Sequence, residues 1–301
     1  MKIYFYLFIA LTCLKLSNAN ALPEADTAYK EIKQTFGIVP TFMKDYPQSG
    51  IAGAWEEMKG VQLNSNSVIP PKYKELIGMA VAAQIPCRYC SYFHTEAAKL
   101  NKANKNEMDE AIAVAGQTYR WGSFITGMQI SESEFKSDID KMLMFVNRQM
   151  AKQAMEAEPK VVAEKIQSPN DVYADVKMTY GFVPNFIQQY PANSIVGAWK
   201  EMKALHMNPD SAIPAKYNDL IGLAVSAQIP CNLCVYYHTQ AAIQEGATKE
   251  EIAEAVALAG TVRNWSTILN GHMMNEKDFR GEVDQIMKFS KDKMSKEVTL
   301  R

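Results

Sequence analysis

Two short segments of this 301-residue chain have residue types and a spacing that suit thiol chemistry. Residues 84–95 read QIPCRYCSYFHT, and residues 228–239 read QIPCNLCVYYHT. Each segment contains a Cys-x-x-Cys pair and a histidine four residues beyond its second cysteine. The four cysteines are Cys87, Cys90, Cys231 and Cys234. The fifth cysteine of the chain, Cys13, lies near the N-terminus and belongs to neither segment.

Helix geometry brings the two cysteines and the histidine of each segment together. Pro86 ends one helix and suits the start of the next. If that next helix opens at Cys87, a rotation of about 100° per residue places Cys90 and His94 on the same stripe. Residues at i and i+3 are close enough for a disulfide, and a helix N-terminus lowers thiol pKa. Because a nearby histidine can take the thiol proton, the pattern predicts a reversible dithiol/disulfide site.

A carboxylate at a matching position completes the predicted site. If the preceding helix folds back on this one, Glu75 lies about 15 Å and His94 about 11 Å from the turn, so they can meet. A carboxylate that orients a histidine is the usual third member of a proton relay. The second segment has Asp219 and His238 at the same spacing. Since Asp is one methylene shorter than Glu, we expect its contact to need a water, and the first site to be more active. The alternative is that the backbone of the second copy shifts to compensate.

The likeness between the two segments extends over most of the chain. With a shift of 144 residues and no gap, 20 of 30 positions are identical between residues 69–98 and residues 213–242. The two copies run from about residue 29 to 147 and from about residue 173 to 291. An internal repeat of this size predicts two domains of one fold, or a pseudo-dimer.

The local signals in both copies are helical. No long alternation of polar and apolar residues is present, and residues 104–107 and 248–251 have the pattern of a helix capping box. We therefore predict an all-α fold made of two tandem helical domains. The predicted domains are residues 22–158 and residues 159–301.

Composition and the N-terminal segment bound the possible functions. The chain is 48% hydrophobic and 22% charged, and its formal net charge of −1 offers no basic surface for nucleic acid. Residues 1–21 show the charged, apolar and small-residue order of a secretory signal peptide, and the apolar run is too short to span a bilayer. A buried N-terminal helix is the alternative. We expect cleavage, which removes two lysines and gives a net charge of −3, and a periplasmic or secreted protein.

The combined motif resembles the alkylhydroperoxidase D-like branch of the carboxymuconolactone decarboxylase family. The motif joins G-x-V-P-x-F at residues 37–42, the carboxylate Glu75, and Cys-x-x-Cys-x-x-x-His beginning twelve places later. The likeness covers nearly all of both copies. It implies an all-helical thiol peroxidase or disulfide reductase, with a hydroperoxide or disulfide substrate and a thiol reductant protein. It also implies that Cys90 and Cys234 are the attacking thiols and that the first cysteine of each pair resolves the disulfide.

Three other interpretations of the cysteines remain open from the residues alone. The pairs could be structural disulfides or inert thiols, they could supply four thiolates to zinc, or they could persist in a non-catalytic assembly protein. Because each pair has its own histidine, we favour redox chemistry and expect no metal or cofactor. His206 and His272 align with Gln62 and Met128, so we assign neither to the repeated site. The repeated tryptophans are expected in the core; they are Trp55, Trp121, Trp199 and Trp265.

The resemblance also predicts the assembly of the chain. Members of that family build rings from single domains, so a tandem chain should place its copies as a pseudo-dimer and form a homotrimer with six domains. Light scattering at micromolar concentration should give the mass of three chains. A stable monomer would contradict this prediction.

Overall fold

The computed structural model describes residues 21–153 and 166–299, and it confirms the predicted all-α fold. These ranges contain fourteen helices and no strand. The helices are α1 Ala21–Phe36, α2 Thr41–Lys44, α3 Gln48–Val61, α4 Pro71–Gln84, α5 Arg88–Leu100, α6 Lys105–Gly127, α7 Glu132–Gln153, α8 Pro169–Tyr180, α9 Asn185–Gln188, α10 Ala192–His206, α11 Ala215–Ser226, α12 Asn232–Gln244, α13 Lys249–Gly271 and α14 Glu276–Thr299. None of these helices is long and apolar enough to cross a membrane. The signal peptide up to residue 20, and the domain boundary at 158/159, lie outside the described residues.

The two copies fold into the same order of seven helices. The bounds of α2, α5 and α6 recur in α9, α12 and α13 at the shift of 144 residues. Both predicted capping boxes are confirmed. The side chains of Asn104 and Thr248 accept the backbone N–H three residues on, and their own backbone N–H groups donate to the carboxylates of Glu107 and Glu251. Ser168 caps α8 in the same way with Asp171. Local sequence thus determines where these helices begin.

The apolar core draws on both copies. A central cluster of buried residues joins α4 and α6 to α11 and α13, with Ile77, Val114, Ile221 and Leu258 among its members. Helices α4 and α11 are buried on almost every face, and they lie at the middle of the molecule. These are the helices that carry the predicted relay carboxylates.

Two flanking clusters exchange side chains between the copies. In one, Trp121 and Phe135 of the first copy pack with Trp199 and other residues of the second. In the other, Trp265 of the second copy packs with Trp55 and other residues of the first. Each copy therefore completes its apolar packing with the end of the long α6 or α13 helix of the other copy, as in an isologous dimer interface.

Equivalent residues meet where the two copies face each other. The rings of Tyr73 and Tyr217, which correspond in the repeat, stack with centroids 3.7 Å apart and planes 10° apart. Contact between a residue and its own counterpart marks a two-fold relation. Of the two arrangements that the repeat predicts, the structure has the pseudo-dimer.

Two glutamates tie each copy to a loop of the other. Glu110 accepts hydrogen bonds from Ser211 Oγ and from the backbone N–H of Ala212 at 2.9 Å. Glu254 accepts them from Ser67 Oγ and from the backbone N–H of Val68 at 3.1 Å. These loops lead into α11 and α4, so each carboxylate fixes the start of a central helix in the other copy.

The two glutamates should contribute unequally to stability. Glu254 also pairs with the buried Lys74 at 3.5 Å, where the second copy has the neutral Asn218 beside Glu110. We expect Glu254→Ala to lower the free energy of unfolding by about 3–5 kcal/mol, because it leaves the buried ammonium of Lys74 unpaired. Glu110→Ala should cost about 1–3 kcal/mol. Urea unfolding of both variants measures the difference, and equal losses would contradict the assigned role of Lys74.

Candidate active site

Each cysteine pair forms a disulfide at the start of a helix, as the spacing predicted. Cys87 is bonded to Cys90 and Cys231 to Cys234, each with Cα atoms 5.3 Å apart. The first cysteine of each pair caps α5 or α12, and its Sγ accepts the backbone N–H of the second at 3.2 Å. All four residues are buried. The structure therefore shows the oxidised form of both pairs.

A histidine and a carboxylate meet beside each disulfide. The Nδ1 of His94 lies 2.8 Å from Oε2 of Glu75, and that of His238 lies 3.0 Å from Oδ1 of Asp219. The expectation that the shorter Asp219 needs a bridging water is wrong. Its carboxylate reaches the imidazole directly because α11 and α12 pack closely enough at this point. The predicted geometric reason for a weaker second site therefore disappears.

A glycine makes each close approach possible. A Cβ atom on Gly78 would lie 2.4 Å from Nδ1 of His94, and one on Gly222 would lie 2.4 Å from Nδ1 of His238. Real Cβ atoms never come this close to a ring, so the imidazole lies where a side chain would otherwise stand. Each glycine follows its carboxylate by three residues, one helical turn away. The sequence analysis did not single out this position, although both copies keep it.

Each disulfide and its histidine face a small apolar cavity that is closed by the other copy. The first cavity, of about 60 Å³, is lined by Phe42, Met58, Gln62, Cys90, Phe93 and His94 of the first copy and by Thr261, Val262, Trp265, Leu269 and Phe279 of the second. The second cavity, of about 50 Å³, is lined by the equivalents of all eleven, with Met142, Tyr180 and Ile187 in addition. Space of this size holds a few water molecules or a small reacting group. Both sites are therefore composite, although the cysteine pair, histidine and carboxylate of each come from one copy.

The second cysteine of each pair lines its cavity. Cys90 and Cys234 contribute to the walls, whereas Cys87 and Cys231 lie behind them. His94 is one turn beyond Cys90 on the same helical face. With Nδ1 directed at the carboxylate, Nε2 of each imidazole is the nitrogen left to exchange a proton with a thiol. All eight predicted site residues are therefore gathered in two equivalent groups.

The second site also contains His206, which has no histidine counterpart in the first copy. His206 lines the second cavity, and its ring centroid lies 5.8 Å from that of His238. Its counterpart Gln62 donates from Nε2 to Oε1 of Glu75 at 2.6 Å. The alignment of His206 with a glutamine hid the assignment, since only the fold shows that this position contacts the relay. Although part of the residue is exposed, burial of the ring lowers the pKa of His206 to about 4.

The repeated tryptophans are buried, as expected, but two of them have a second role. Trp55 and Trp199 donate their indole N–H groups to Glu31 and Asp175 inside their own copies. Trp121 and Trp265 form part of the wall of the cavity in the opposite copy. The prediction that all four tryptophans lie in the core is confirmed. It did not include the second role of Trp121 and Trp265 as cavity walls.

A four-thiolate zinc site would need both cysteine pairs to come together. Among the described residues, no three or more His, Cys, Asp or Glu side chains form a group that could hold a metal ion. Each pair is instead joined within itself and placed with one histidine and one carboxylate.

Comparisons with known proteins agree with this architecture. The model of the carboxymuconolactone decarboxylase family matches residues 50–132 and 195–271, one match in each copy. The chain belongs to this family. Carboxymuconolactone decarboxylase family proteins are often enzymes, and the family includes alkylhydroperoxidase-like members.

Two individual proteins are similar to this chain, one over a short segment and one in fold. An uncharacterized protein of Cupriavidus necator is 39% identical over 49 residues, which is 16% of this chain and 43% of that protein. The matched segment thus spans less than half of the relative. A crystal structure of a gamma-carboxymuconolactone decarboxylase subunit from Burkholderia xenovorans superposes with a TM-score of 0.52. It covers 84% of this chain and 98% of its own at 13% identity, which shows a shared fold.

The glycine contacts allow each relay to be disrupted separately. Gly78→Ala should displace His94 from Glu75 and slow alkylation of the reduced Cys90 thiol by iodoacetamide at pH 7 about tenfold or more. Labelling of Cys234 should stay unchanged, and Gly222→Ala should give the reverse. Peptide mass spectrometry reads both sites in one sample. Gly116→Ala is the control, because a Cβ there meets nothing within 4 Å. Equal slowing at both cysteines would contradict the assignment.

The low pKa of His206 predicts acid-sensitive stability. Between pH 6.5 and 4 the unfolded chain binds a proton that folded His206 does not, so stability present above pH 6.5 is lost as the pH falls towards 4. Between pH 7 and 4.5 the free energy of unfolding of the His206→Gln variant should therefore fall by about 2–3 kcal/mol less than that of the native protein. Urea unfolding at the two pH values measures this, with the exposed His272→Gln as the control. Identical losses in all three proteins would refute it.

Proposed function

We propose that the chain is a thiol-dependent peroxidase or disulfide oxidoreductase with two active sites. One observation carries the proposal. In each half of the molecule a Cys-x-x-Cys pair lies beside a cavity, together with a histidine that is hydrogen-bonded to a carboxylate. The paired sulfurs are the redox group, and no other cofactor enters the scheme. Membership of a family with alkylhydroperoxidase-like members supports the same chemistry.

In the reduced enzyme the histidine prepares the attacking thiol. His94 Nε2 takes the proton of Cys90, while Glu75 at Nδ1 stabilises the imidazolium that forms. The thiolate attacks the terminal oxygen of a hydroperoxide in the cavity, and the O–O bond breaks. The departing alkoxide takes a proton from His94 and leaves as the alcohol. Cys90 is then a sulfenic acid, oxidised by two electrons.

The first cysteine completes the oxidative half of the cycle. Cys87 Sγ attacks Cys90 Sγ, the S–S bond forms, and the hydroxyl group leaves as water after it takes up a proton. The same oxidised state arises if the substrate is a disulfide, with a mixed disulfide in place of the sulfenic acid. The Cys87–Cys90 bond is the product of either route.

A dithiol reductant then restores both thiols. Because Cys90 lines the cavity, the reductant thiolate attacks its sulfur and Cys87 leaves as the thiolate. The backbone N–H of Cys90 points at Cys87 Sγ and stabilises that charge. A second reductant thiol releases Cys90 and takes the electrons away as a disulfide. Cys87 caps the N-terminus of α5, which favours negative charge, and this position suits its role as the leaving group.

The reductant is proposed to be a thiol protein, and the reaction is proposed to take place after export. The second proposal rests on the N-terminal pattern of residues 1–21 alone, and N-terminal sequencing of protein from the cell tests it. A mature chain that retains Lys2 would overturn it.

Cysteine variants test the chemistry. Cys90→Ser and Cys234→Ser should each remove one site and leave the other, and the double variant should lose hydroperoxide turnover at least about 1,000-fold, as for loss of a nucleophile. In the Cys87→Ser, Cys231→Ser protein the attacking thiols should still react once. Intact mass should then show one added oxygen for each site and no disulfide.

Two results would argue against the peroxidase. Reduced native protein that keeps all of its thiols after hydroperoxide treatment, by thiol titration, would favour the non-catalytic alternative. Full turnover in the double Ser variant would place the chemistry elsewhere.

A further inference from the structure

The walls of the two cavities carry different residue types at some equivalent positions. Seven of the eleven paired wall positions keep the same residue or an apolar equivalent, as with Ile125 and Leu269. The other four pairs are Gln62 and His206, Phe93 and Tyr237, Thr261 and Gln117, and Val262 and Thr118. In the second cavity a hydroxyl appears where the first has a phenyl ring or an isopropyl group.

The polar groups of the first cavity are already engaged. Gln62 donates to Glu75, and the single O–H of Thr261 has two acceptors within reach, Glu57 and the backbone carbonyl of Ala257. Trp265 Nε1 is the one buried side-chain nitrogen of this wall without a partner among the described residues. The first cavity therefore offers an almost wholly apolar surface.

The second cavity has polar groups that are not engaged. Gln117 is 3% exposed, and its Nε2 has no hydrogen-bond partner among the described residues. The same holds for Nδ1 of His206 and Nε1 of Trp121 in the same wall. Thr118 Oγ1 lies 3.4 Å from Nε2 of His238, where the first cavity has the isopropyl group of Val262. Buried donors are rarely left unpaired, so such a group points to a bound partner.

We propose that the two sites accept different substrates. The Cys234 site takes a hydroperoxide or disulfide whose body carries a hydroxyl or carbonyl oxygen, which accepts hydrogen bonds from Gln117 and its neighbours. The Cys90 site takes one with a hydrocarbon body. This assignment rests on the proposed thiol chemistry, and it makes the first copy responsible for selectivity at the second site, since Gln117 and Thr118 belong to α6.

A pair of thiol reagents measures this polarity without any peroxide. Ethyl methanethiosulfonate and its 2-hydroxyethyl analogue differ by one hydroxyl group. In either case the cysteine thiolate attacks the sulfenyl sulfur, methanesulfinate leaves, and the first cysteine then displaces the small thiol to give the internal disulfide. Acid quenching and peptide mass spectrometry give the oxidation rate of each pair in the reduced native chain. The intrinsic reactivity of the reagents cancels when their rate ratio is compared between the two sites.

The expected result is a preference for the hydroxyl reagent that is about three- to tenfold greater at Cys234 than at Cys90, the effect of one hydrogen bond. Changing the second wall to its counterpart, with Gln117→Thr, Thr118→Val and Tyr237→Phe, should abolish that difference. Val262→Thr in the first wall should raise the ratio at Cys90 even if the triple variant folds poorly. Ile125→Leu, which copies Leu269 and changes no polar group, should leave both ratios unchanged.

The outcomes separate this inference from the proposed function. Equal ratios at both sites in the native chain overturn the inference, even if both sites reduce hydroperoxides. Unequal ratios that follow the wall substitutions support it, even if neither site reduces a hydroperoxide, and in that case the peroxidase proposal alone falls. Unequal ratios that persist in both the triple variant and Val262→Thr also overturn it.

Discussion

The structure depends on the packing of each copy's long α6 or α13 helix into the other copy. Trp121 and Trp265 lie near the ends of these helices, and each packs in an apolar cluster made mainly of residues from the other copy. This exchange closes both cavities, so neither site is whole without both copies. Other residues of α6 and α13 pack in the central cluster against α4 and α11, the buried helices that carry the carboxylates Glu75 and Asp219. The geometry of both sites thus depends on the packing between the two copies.

Much of this organisation could be predicted from local sequence. The repeat, the capping boxes and the prolines before each cysteine fix where helices begin, and the i, i+3 spacing fixes the disulfides. Even the meeting of Glu75 with His94 followed from helical rise alone, because two antiparallel helices joined by a tight turn leave little choice of register.

The composite walls were beyond local reasoning. The face of α6 that lines the second cavity is determined by its packing against residues of the other copy, more than 100 positions away in the chain. The hydrophobic periodicity of one copy does not show which face that is. His206 was missed for this reason, since its contact with the relay depends on the folded position shared with Gln62. The reach of Asp219 was misjudged because side-chain length was compared at a fixed backbone, whereas α11 and α12 lie close enough in the second copy for a direct contact.

Joining the two copies in one chain has a consequence for how the sites persist in dilute solution. A site shared between separate subunits comes apart as the protein falls below its dissociation constant. Here the partner wall is always present at the effective concentration that a covalent link provides. The two sites can also differ from each other. In a symmetric dimer a substitution in the wall changes both sites, whereas in this chain the equivalent positions 118 and 262 are separate and hold Thr118 and Val262. Fusion thereby makes the assembly of the sites insensitive to protein concentration and allows each wall to change alone.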